Sequence, residues 1–281
     1  MFLSAVSWSF SGVISKNVEW NGFSKAGVRA IVAVLIYALA RKTFKVKLTA
    51  HNLIGALGVA TTSLLYMIAV TLTTSANAIV LQYSMPIYVV LISLMVFKIK
   101  PSLKDIIVLP ILLLGVILCC AGGSSGGEPL PNAALGNALA LISGLTFAFV
   151  FITSRFKDAD SVEYTYLGNL ISVLLAVSVF FDKNADFGFD AHTLSQWGLV
   201  ALLGVSLGLG YLFLGWGLKT ASPTTAAILE NLEPVLNPIW VFLVVGERPG
   251  LTGLIGCAVV LVTVTVYSCL PESKKKDNEG Q

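Results

Sequence analysis

Two carboxylates and an amide lie inside an apolar stretch near the end of the chain. Glu230, Glu233 and Asn237 are spaced i, i+3 and i+7, which puts them on one face of a helix. At 1.5 Å per residue, Glu230 and Glu233 lie roughly 12 and 16 Å from the start of that helix. An acidic side chain near the centre of a bilayer costs about 2.5–3.5 kcal/mol. We therefore expect both to face a cavity or a partner. For Glu230 a transport role is favoured, whereas Glu233, beside a proline, fits transport and architecture equally well.

Other polar and aromatic side chains in the apolar stretches are candidates to line the same cavity. Gln82 lies in an earlier apolar stretch. Its predicted depth in the membrane is about that of Glu230, measured from the opposite membrane surface. The remaining candidates are Asn77, Asn231, Trp8, Tyr66, Tyr83, Phe147, Tyr211 and Trp216. Two alternatives stay open. The polar groups can serve as hydrogen bonds between helices, and the rings can pack in the bundle or belong to belts at the membrane interfaces.

Pro86 and Pro234 lie near the middle of two apolar stretches. Proline removes a backbone donor and kinks a helix, and the carbonyl that it frees in a membrane must find water, a neighbour or a ligand. Both prolines lie roughly 16–18 Å from the start of their helices, which places the kinks opposite each other. We predict that the kinks are hinges for alternating access. A static kink is the alternative.

The sequence repeats itself at a constant offset of 148 residues. Residues 74–118 align with residues 222–266, and the alignment pairs Pro86 with Pro234. Duplicated apolar segments that proline interrupts at matching positions are typical of secondary transporters, whose binding sites lie at such breaks. A chance match between apolar stretches is the alternative.

The composition determines the class of protein. Hydrophobic residues make up 56% of the chain and charged residues 12%, with a mean hydropathy of +0.85. Soluble domains carry about 25% charged residues, so a soluble protein is excluded. At roughly 20 residues per transmembrane helix, the 281 residues hold about ten spans. We predict an all-α integral membrane protein with spans near 2–16, 23–41, 52–72, 75–97, 102–121, 133–154, 163–181, 195–217, 222–245 and 250–270. Within the eighth span, the spacing of Gly204 and Gly208 predicts close contact with another helix.

Ten spans divide into two five-helix repeats. The first repeat covers residues 1–121 and the second covers residues 133–270, with an external linker at 122–132. Because five is an odd number, the second repeat must enter the membrane in the inverted orientation. The polar, lysine-rich residues 271–281 are expected to form a disordered cytosolic tail.

The distribution of basic residues predicts the orientation. With both termini in the cytoplasm, the cytoplasmic loops and the tail hold 13 of the 18 Lys and Arg residues, as the positive-inside rule requires. The others, on or near the outer side, are Lys16, Lys25, Arg29, Lys183 and Arg248. This pattern predicts a multi-pass protein of the plasma or inner membrane.

The sequence carries no motif for other common chemistries. Its four cysteines and two histidines match neither a disulfide framework nor zinc-ligand spacing. Dinucleotide-binding and Walker motifs are absent from the sequence. We therefore predict no catalytic residues, cofactor, metal or nucleic-acid partner. The expected partners are a small-molecule solute and the lipid bilayer, with protons as a candidate coupling ion and a monomeric or homodimeric state.

Two runs in the second half carry a family resemblance. The run AAILENLEP (226–234) and the later GERP (246–249) resemble the C-terminal repeat of EamA-type proteins in the drug/metabolite transporter superfamily. The first half resembles the same repeat through SANA (75–78), Pro86 and Arg29. The resemblance implies ten helices in two inverted repeats, around a central cavity that opens to one side at a time. The first repeat lacks an acidic counterpart of Glu247, which argues against a symmetric role for that residue.

The expected function is a secondary carrier that moves a small organic solute across the plasma membrane. An amino acid or a related metabolite is the favoured solute, and the resemblance favours export. One alternative is a carrier for organic cations or drugs. Another is an integral-membrane enzyme acting on a lipid-linked substrate, which would need acidic or histidine clusters in interfacial loops that are short here. A third is a subunit whose polar helix residues bind a partner protein.

Overall fold

The computed structural model describes residues 1–73, 75–121, 132–236, 240 and 251–269, and for residues 16, 75–77, 119–121 and 268 it describes only the backbone. The regular structure of these residues is helical. The α-helices are α1 (Phe2–Ser9), α2 (Ser11–Lys16), α3 (Gly22–Arg41), α4 (Ala50–Leu72), α5 (Ser75–Gln82), α6 (Met85–Phe97), α7 (Leu103–Ala121), α8 (Ala133–Thr153), α9 (Ser161–Val173), α10 (Ala191–Gly217), α11 (Pro223–Glu230) and α12 (Leu251–Cys269). A 3-10 helix, Leu174–Phe181, continues α9.

Several helices are suited to a bilayer. In the described residues, six are long and apolar enough to cross a membrane. They are Gly22–Arg41, Ala50–Leu72, Ala78–Phe97, Ala133–Thr153, Ser161–Phe181 and Ala191–Gly217. Phe2–Ser15 and Leu251–Tyr267 are shorter apolar helices. The prediction of an all-helical, multi-pass membrane protein is confirmed at this level.

The helix is interrupted just ahead of both predicted kink prolines. α5 ends at Gln82 and α6 begins at Met85, while α11 ends at Glu230 and the chain is helical again from residue 233. Pro86 and Pro234 therefore occupy the second position of the resumed helix, where a missing N–H costs little. In the span predicted at 222–245, where the sequence predicts a kink, the helix is interrupted at residues 231–232. Glu230 and Glu233 lie on either side of the break, not one turn apart on a single helix.

The helices of the two aligned segments share their register. α5 and α11 begin at residues 75 and 223 and end at residues 82 and 230. α7 and α12 begin at residues 103 and 251 and end at residues 121 and 269. Every pair differs by the 148 residues of the sequence alignment, so the aligned segments fold alike, including the break.

α3 runs antiparallel to α9 and the 3-10 helix. At one end, the amide of Asn21 donates to Asp182 Oδ2 at 2.7 Å. In the last quarter of α3, the hydroxyl of Tyr37 donates to Thr165 Oγ1 at 2.7 Å. Since residue numbers rise along α3 as they fall along its partner, the two run in opposite directions.

Gly27 is the closest backbone contact between α3 and the 3-10 helix. A Cβ atom at Gly27 would lie 2.1 Å from the backbone nitrogen of Ala176. Because that obstacle is backbone, we expect Gly27→Ala to cost about 1–3 kcal/mol, as overpacking does. The midpoint of thermal unfolding in detergent should fall by several degrees. Gly198→Ala on α10 is the matched control, since nothing lies within 4 Å of its added Cβ. Equal midpoints for the two variants would contradict this packing.

α10 packs against α3 through small residues. A Cβ atom at Gly204 would lie 2.5 Å from Val32 Cβ, and one at Gly208 would lie 2.9 Å from Ala33 Cα. The predicted close helix contact at these glycines is confirmed. It brings the middle of α10 against the middle of α3.

α7 and α12 pair with each other in antiparallel fashion. A Cβ atom at Gly115 would lie 2.8 Å from Val260 Cγ2, and at the start of α7 the Tyr267 hydroxyl donates to Asp105 Oδ1 at 2.7 Å. The aligned segments thus place their last helices side by side and in opposite directions.

Polar contacts gather at the two ends of the bundle. At one end, the amide of Glu19 donates to Gln196 Oε1 at 3.0 Å. Asp190 caps α10 there, and hydrogen bonds led by the one from the Thr193 hydroxyl lower the pKa of Asp190. At the other end, ion pairs join Arg41 to Glu163, His51 to Asp158 and Lys219 to Asp160. α3 connects the two ends over about 30 Å.

Candidate functional site

A cavity of about 50 Å³ lies inside the bundle, between α1, α2, α3, α4, α5, α8 and α10 and the chain just after α11. Its polar wall consists of Ser11, Arg29, Thr62, Ser63, Gln82 and Glu233. Its apolar wall consists of Trp8, Tyr66, Phe147, Leu207 and Tyr211. Both halves of the chain contribute to it, and so does each helix break, through Gln82 and Glu233.

Arg29 supplies a positive charge to the cavity. It lies seven residues after the start of α3, about 10 Å along the helix, and its exposed fraction is 3%. The sequence analysis grouped Arg29 with charges on or near the outer side, and the structure corrects this to an interior position. Its Nη2 donates to Ser63 Oγ at 2.8 Å, while Nε has no partner among the described residues. The guanidinium is thus anchored on α4 with donor capacity left for an anion.

Glu233 supplies a carboxyl group to the same cavity. Its Oε2 accepts a hydrogen bond from the hydroxyl of buried Tyr83 at 2.5 Å. Among the described ion pairs, none contains Arg29 or Glu233. The guanidinium of Arg29 and the carboxyl group of Glu233 therefore line one space without a direct ion pair between them, which leaves both available to a ligand that carries both signs of charge.

Aromatic rings form a rigid wall beside these charges. Trp8 meets Tyr211 edge to face with ring centroids 4.9 Å apart, and meets Phe147 at 5.6 Å. Trp8 lies directly over Gly210, where a Cβ atom would come within 2.1 Å of its Nε1. Edge-to-face pairs hold their rings in place, so this wall can contact the apolar part of a ligand.

Glu230 and Asn231 lie in the interior next to the cavity, although they are not part of its lining. Both are fully buried. The carboxyl group of Glu230 lies beside the Ser4 side chain and near Glu233, and Asn231 Oδ1 has no hydrogen-bond partner among the described residues. Asn231 Nδ2 donates to the carbonyl of Ala227 at 2.8 Å. Complete burial of a carboxyl group costs free energy, which makes Glu230 a candidate site residue.

The structure separates the remaining candidates. Trp216 is half-exposed and contacts Phe213 near the end of α10, away from the cavity. Pro86 and Pro234 lie at the helix breaks. The side chain of Asn77 and the whole of Asn237 lie outside the described residues.

Arg29 and its anchor Ser63 are the site residues that the sequence analysis missed. The signal was available, because an arginine seven residues into an apolar helix is an intramembrane charge, and such charges mark functional sites by default. Thr62, Ser11 and Leu207 carry no comparable signal, since hydroxyl and leucine side chains occur on every face of membrane helices.

A larger cavity, of about 440 Å³, lies at the bundle end that holds Arg41 and Lys219. It is bordered by the end of α6, the starts of α7 and α11, and the end of α12. Lys100, Lys104 and Arg155 line it. Partial burial lowers the pKa of Arg155. This second cavity is distinct from the central one, and none of the residues lining one lines the other.

Comparison with known proteins gives the class. The profile of the EamA-like transporter family matches residues 1–120 and again residues 134–269. An uncharacterized transporter of Archaeoglobus fulgidus is 26% identical over 201 residues, which are 72% of this chain and 70% of that protein. The uncharacterized transporter YyaM of Bacillus subtilis is 20% identical over 95% of this chain and 88% of its own length. A solved crystal structure shares the fold, with a TM-score of 0.77 at 18% identity over 96% of this chain and 97% of that one.

The chain belongs to the EamA-like transporter family. The resemblance that the sequence runs suggested is thereby confirmed. Family and relatives make it a multi-pass membrane transporter and point away from an enzyme.

Proposed function

We propose that this transporter carries a small zwitterionic metabolite, most directly an amino acid. The observation that supports this proposal is the pair of opposite charges, Arg29 and Glu233, on one interior cavity without a direct ion pair. A guanidinium binds a carboxylate in bidentate fashion, and Glu233 would bind an ammonium group. Tyr211 and Trp8 would contact the side chain of the solute.

We propose ten spans in two inverted repeats, residues 1–121 and 133–270. The equal register of α5 and α11, the antiparallel pairing of α7 with α12, and the two separate family matches support this proposal. The packing partners also correspond: α4 packs on α8 and α9, and α10 packs on α1 and α3. The linker 122–132 and the tail 271–281 stay predictions, since apart from Asn132 they lie outside the described residues.

The proposed location is the plasma membrane. The distribution of charge favours an orientation with both termini in the cytoplasm. The bundle end with Arg41 and Lys219 holds most of the loop lysines, as the positive-inside rule requires of a cytoplasmic face. A membrane-impermeant thiol reagent should then label Lys45→Cys from the cytosolic side and Lys183→Cys from the outside. Both positions lie in connections between helices. Labelling of both from one side would overturn the topology.

Transport by alternating access requires the central cavity to widen. A cavity of about 50 Å³ holds a few water molecules, since one water molecule needs about 10–15 Å³ of cavity volume. A bound amino acid would therefore separate the helices on which Arg29 and Glu233 lie. The two helix breaks lie beside the cavity and would act as the hinges, and the family resemblance favours export as the direction.

Counterflow in proteoliposomes tests the proposed solute class. Vesicles loaded with one unlabelled amino acid should accumulate the labelled form, and the matching amine and carboxylic acid should each compete weakly, because each reaches only one of the two charges. Strong competition by amines alone would instead favour the organic-cation carrier, for which Glu233 and the aromatic wall suffice. No counterflow of any zwitterion across a panel of amino acids would refute the proposal.

Glu230 is proposed to carry a coupling proton, because its carboxyl group is fully buried and lies near a second carboxyl group, that of Glu233 in the cavity wall. Glu230→Gln keeps the shape and removes the titrating group. We expect transport driven by a pH gradient to fall several-fold and to lose its dependence on pH between about 5.5 and 8, while counterflow at uniform pH persists. Unchanged gradient-driven transport would leave Glu230 as a packing residue. The proton would then not be coupled through it.

A further inference from the structure

The 440 Å³ cavity at the Arg41 end of the bundle, here called the basic vestibule, has the composition of an anion site. Lys100 reaches it from the connection between α6 and α7, Lys104 from the first turn of α7, and Arg155 from the segment after α8. Lys104 also lies over the ring of Tyr267, 4.6 Å from its centroid. Three cations from two parts of the chain line one space, although like charges repel at short range. Such convergence is favourable when an anion occupies the space between them.

The carboxylate in the lining does not fill this role. Asp105 is the acidic residue among the described lining residues, and both of its oxygens accept hydrogen bonds. Oδ1 accepts from the Tyr267 hydroxyl at 2.7 Å, and Oδ2 accepts from the amide of Ser102 at 2.9 Å. Asp105 therefore fastens the start of α7 to the end of α12, and its acceptor atoms are turned to those partners.

A buried donor without a partner also lines the vestibule. The hydroxyl of Ser93, on α6, has no hydrogen-bond partner among the described residues, and the exposed fraction of Ser93 is 3%. The Nε of Arg155 is likewise buried and without a partner there. Buried donors are normally satisfied, so these two indicate a missing acceptor in the cavity.

The N-terminus of α11 completes the set. Ser222 caps the helix by accepting from the amide of Thr225 at 3.2 Å, while Ser222, Thr224 and Thr225 all border the vestibule. The start of a helix carries a partial positive charge, which favours an anion at this end. Since Pro223 has no N–H and the amide of Thr225 donates to Ser222, the amide of Thr224 is the donor that this helix start offers.

We propose that the basic vestibule binds a phosphate group. A tetrahedral oxyanion offers enough acceptors for an arginine, two lysines, a serine hydroxyl and one helix amide together, and these are the donors that bind phosphate in proteins. Two sources carry the same group: the headgroup of an anionic phospholipid and a soluble phosphate ester. Either ligand would join α6 to α11 at this end of the bundle. α6 is the half-helix after the first break, and α11 is the half-helix before the second.

Thermal unfolding of the purified full-length protein tests the proposal. Inorganic phosphate should raise the midpoint by about 3 °C or more relative to chloride at equal ionic strength, by preferential binding to the folded state. Arg155→Gln should lose most of this shift. Lys157→Gln removes the same charge two residues later, at an exposed position that does not line the vestibule, and should keep the shift. Ser93→Ala should reduce the shift, which provides a second variant if Arg155→Gln does not fold.

Two further measurements distinguish a lipid headgroup from a soluble phosphate ester, and the basic vestibule from the central cavity. Stabilisation by glycerol 3-phosphate points to a soluble ester, and stabilisation by phosphatidic acid alone in mixed micelles points to a lipid headgroup. Arg29→Gln should keep the full shift, because Arg29 belongs to the central cavity, so this result is independent of the proposed solute. The proposal is overturned if neither compound nor phosphate stabilises the parent, or if Arg155→Gln retains the full shift.

Discussion

Replacement of Arg29 by Gln is expected to lower transport of zwitterionic solutes more than about thirtyfold. Glutamine keeps a hydrogen-bonding head but loses the charge and the bidentate fork that would bind a carboxylate. Loss of one partner from a buried, hydrogen-bonded charge pair typically costs at least about 2 kcal/mol, and each 1.4 kcal/mol is a factor of ten. The measurement is kcat/KM for labelled amino acid in proteoliposomes, compared with the parent at equal amounts of reconstituted protein.

Lys25→Gln is the matched control for Arg29. Lys25 is also a buried cation on α3, one turn earlier, but its Nζ donates to the carbonyl of Ser15 at 3.2 Å and it does not line the central cavity. Lys25→Gln should therefore affect stability more than solute binding. If both variants lost transport equally, the effect would follow from removal of any α3 cation, and Arg29 would have no specific role in binding the solute.

The helices and their breaks follow from local features of the sequence. The paired proline positions predicted matching interruptions, and α5 and α11 indeed end at residues 82 and 230, at the aligned positions. This was predictable because proline acts on its own helix: its ring displaces the carbonyl four residues earlier. Apolar runs of about 20 residues likewise locate spans without any knowledge of packing.

The composition of the site was harder to predict, because it depends on which faces of the helices meet. Tyr211 and Trp216 are five residues apart on α10, so at 100° per residue they point about 140° apart. Only Tyr211 lines the cavity, while Trp216 is half-exposed. Helical geometry alone predicts that Tyr211 and Trp216 do not both line the cavity. It does not predict which of the two does.

Glu230 and Glu233 show a different limit. Their spacing predicted one shared face of a helix, but the helix is interrupted between them, at residues 231–232. Glu233 reaches the cavity and bonds Tyr83, whereas Glu230 remains buried beside it. The break was predictable from Pro234, because proline acts on its own helix. The surroundings of the two side chains were not predictable, because they depend on how all the helices pack.

Pro86→Ala and Pro234→Ala are expected to slow the exchange between inward-open and outward-open states and to bias it in opposite directions. In each variant the new N–H can bond the carbonyl four residues earlier, at Gln82 or Glu230, and close the break between the half-helices. A continuous helix resists the bending that a hinge needs, so the helices should become more stable as turnover falls. Because the proposed repeats are inverted, each break would serve the gate on its own side of the membrane.

Pro110→Ala is the control that distinguishes loss of a hinge from the general effect of replacing a proline in a helix. Pro110 lies inside α7, in a helix without a break, so its replacement should leave the balance of states unchanged. Single cysteines on α6 and α11, labelled from each side of the membrane, would report accessibility in each variant. For Pro86→Ala and Pro234→Ala we expect labelling to shift toward opposite faces and turnover to fall about tenfold, equivalent to about 1.4 kcal/mol on the barrier. If both variants matched Pro110→Ala in accessibility and rate, the breaks would be fixed architecture, and the opening of the central cavity between Arg29 and Glu233 would have to come from rigid movement of whole helices.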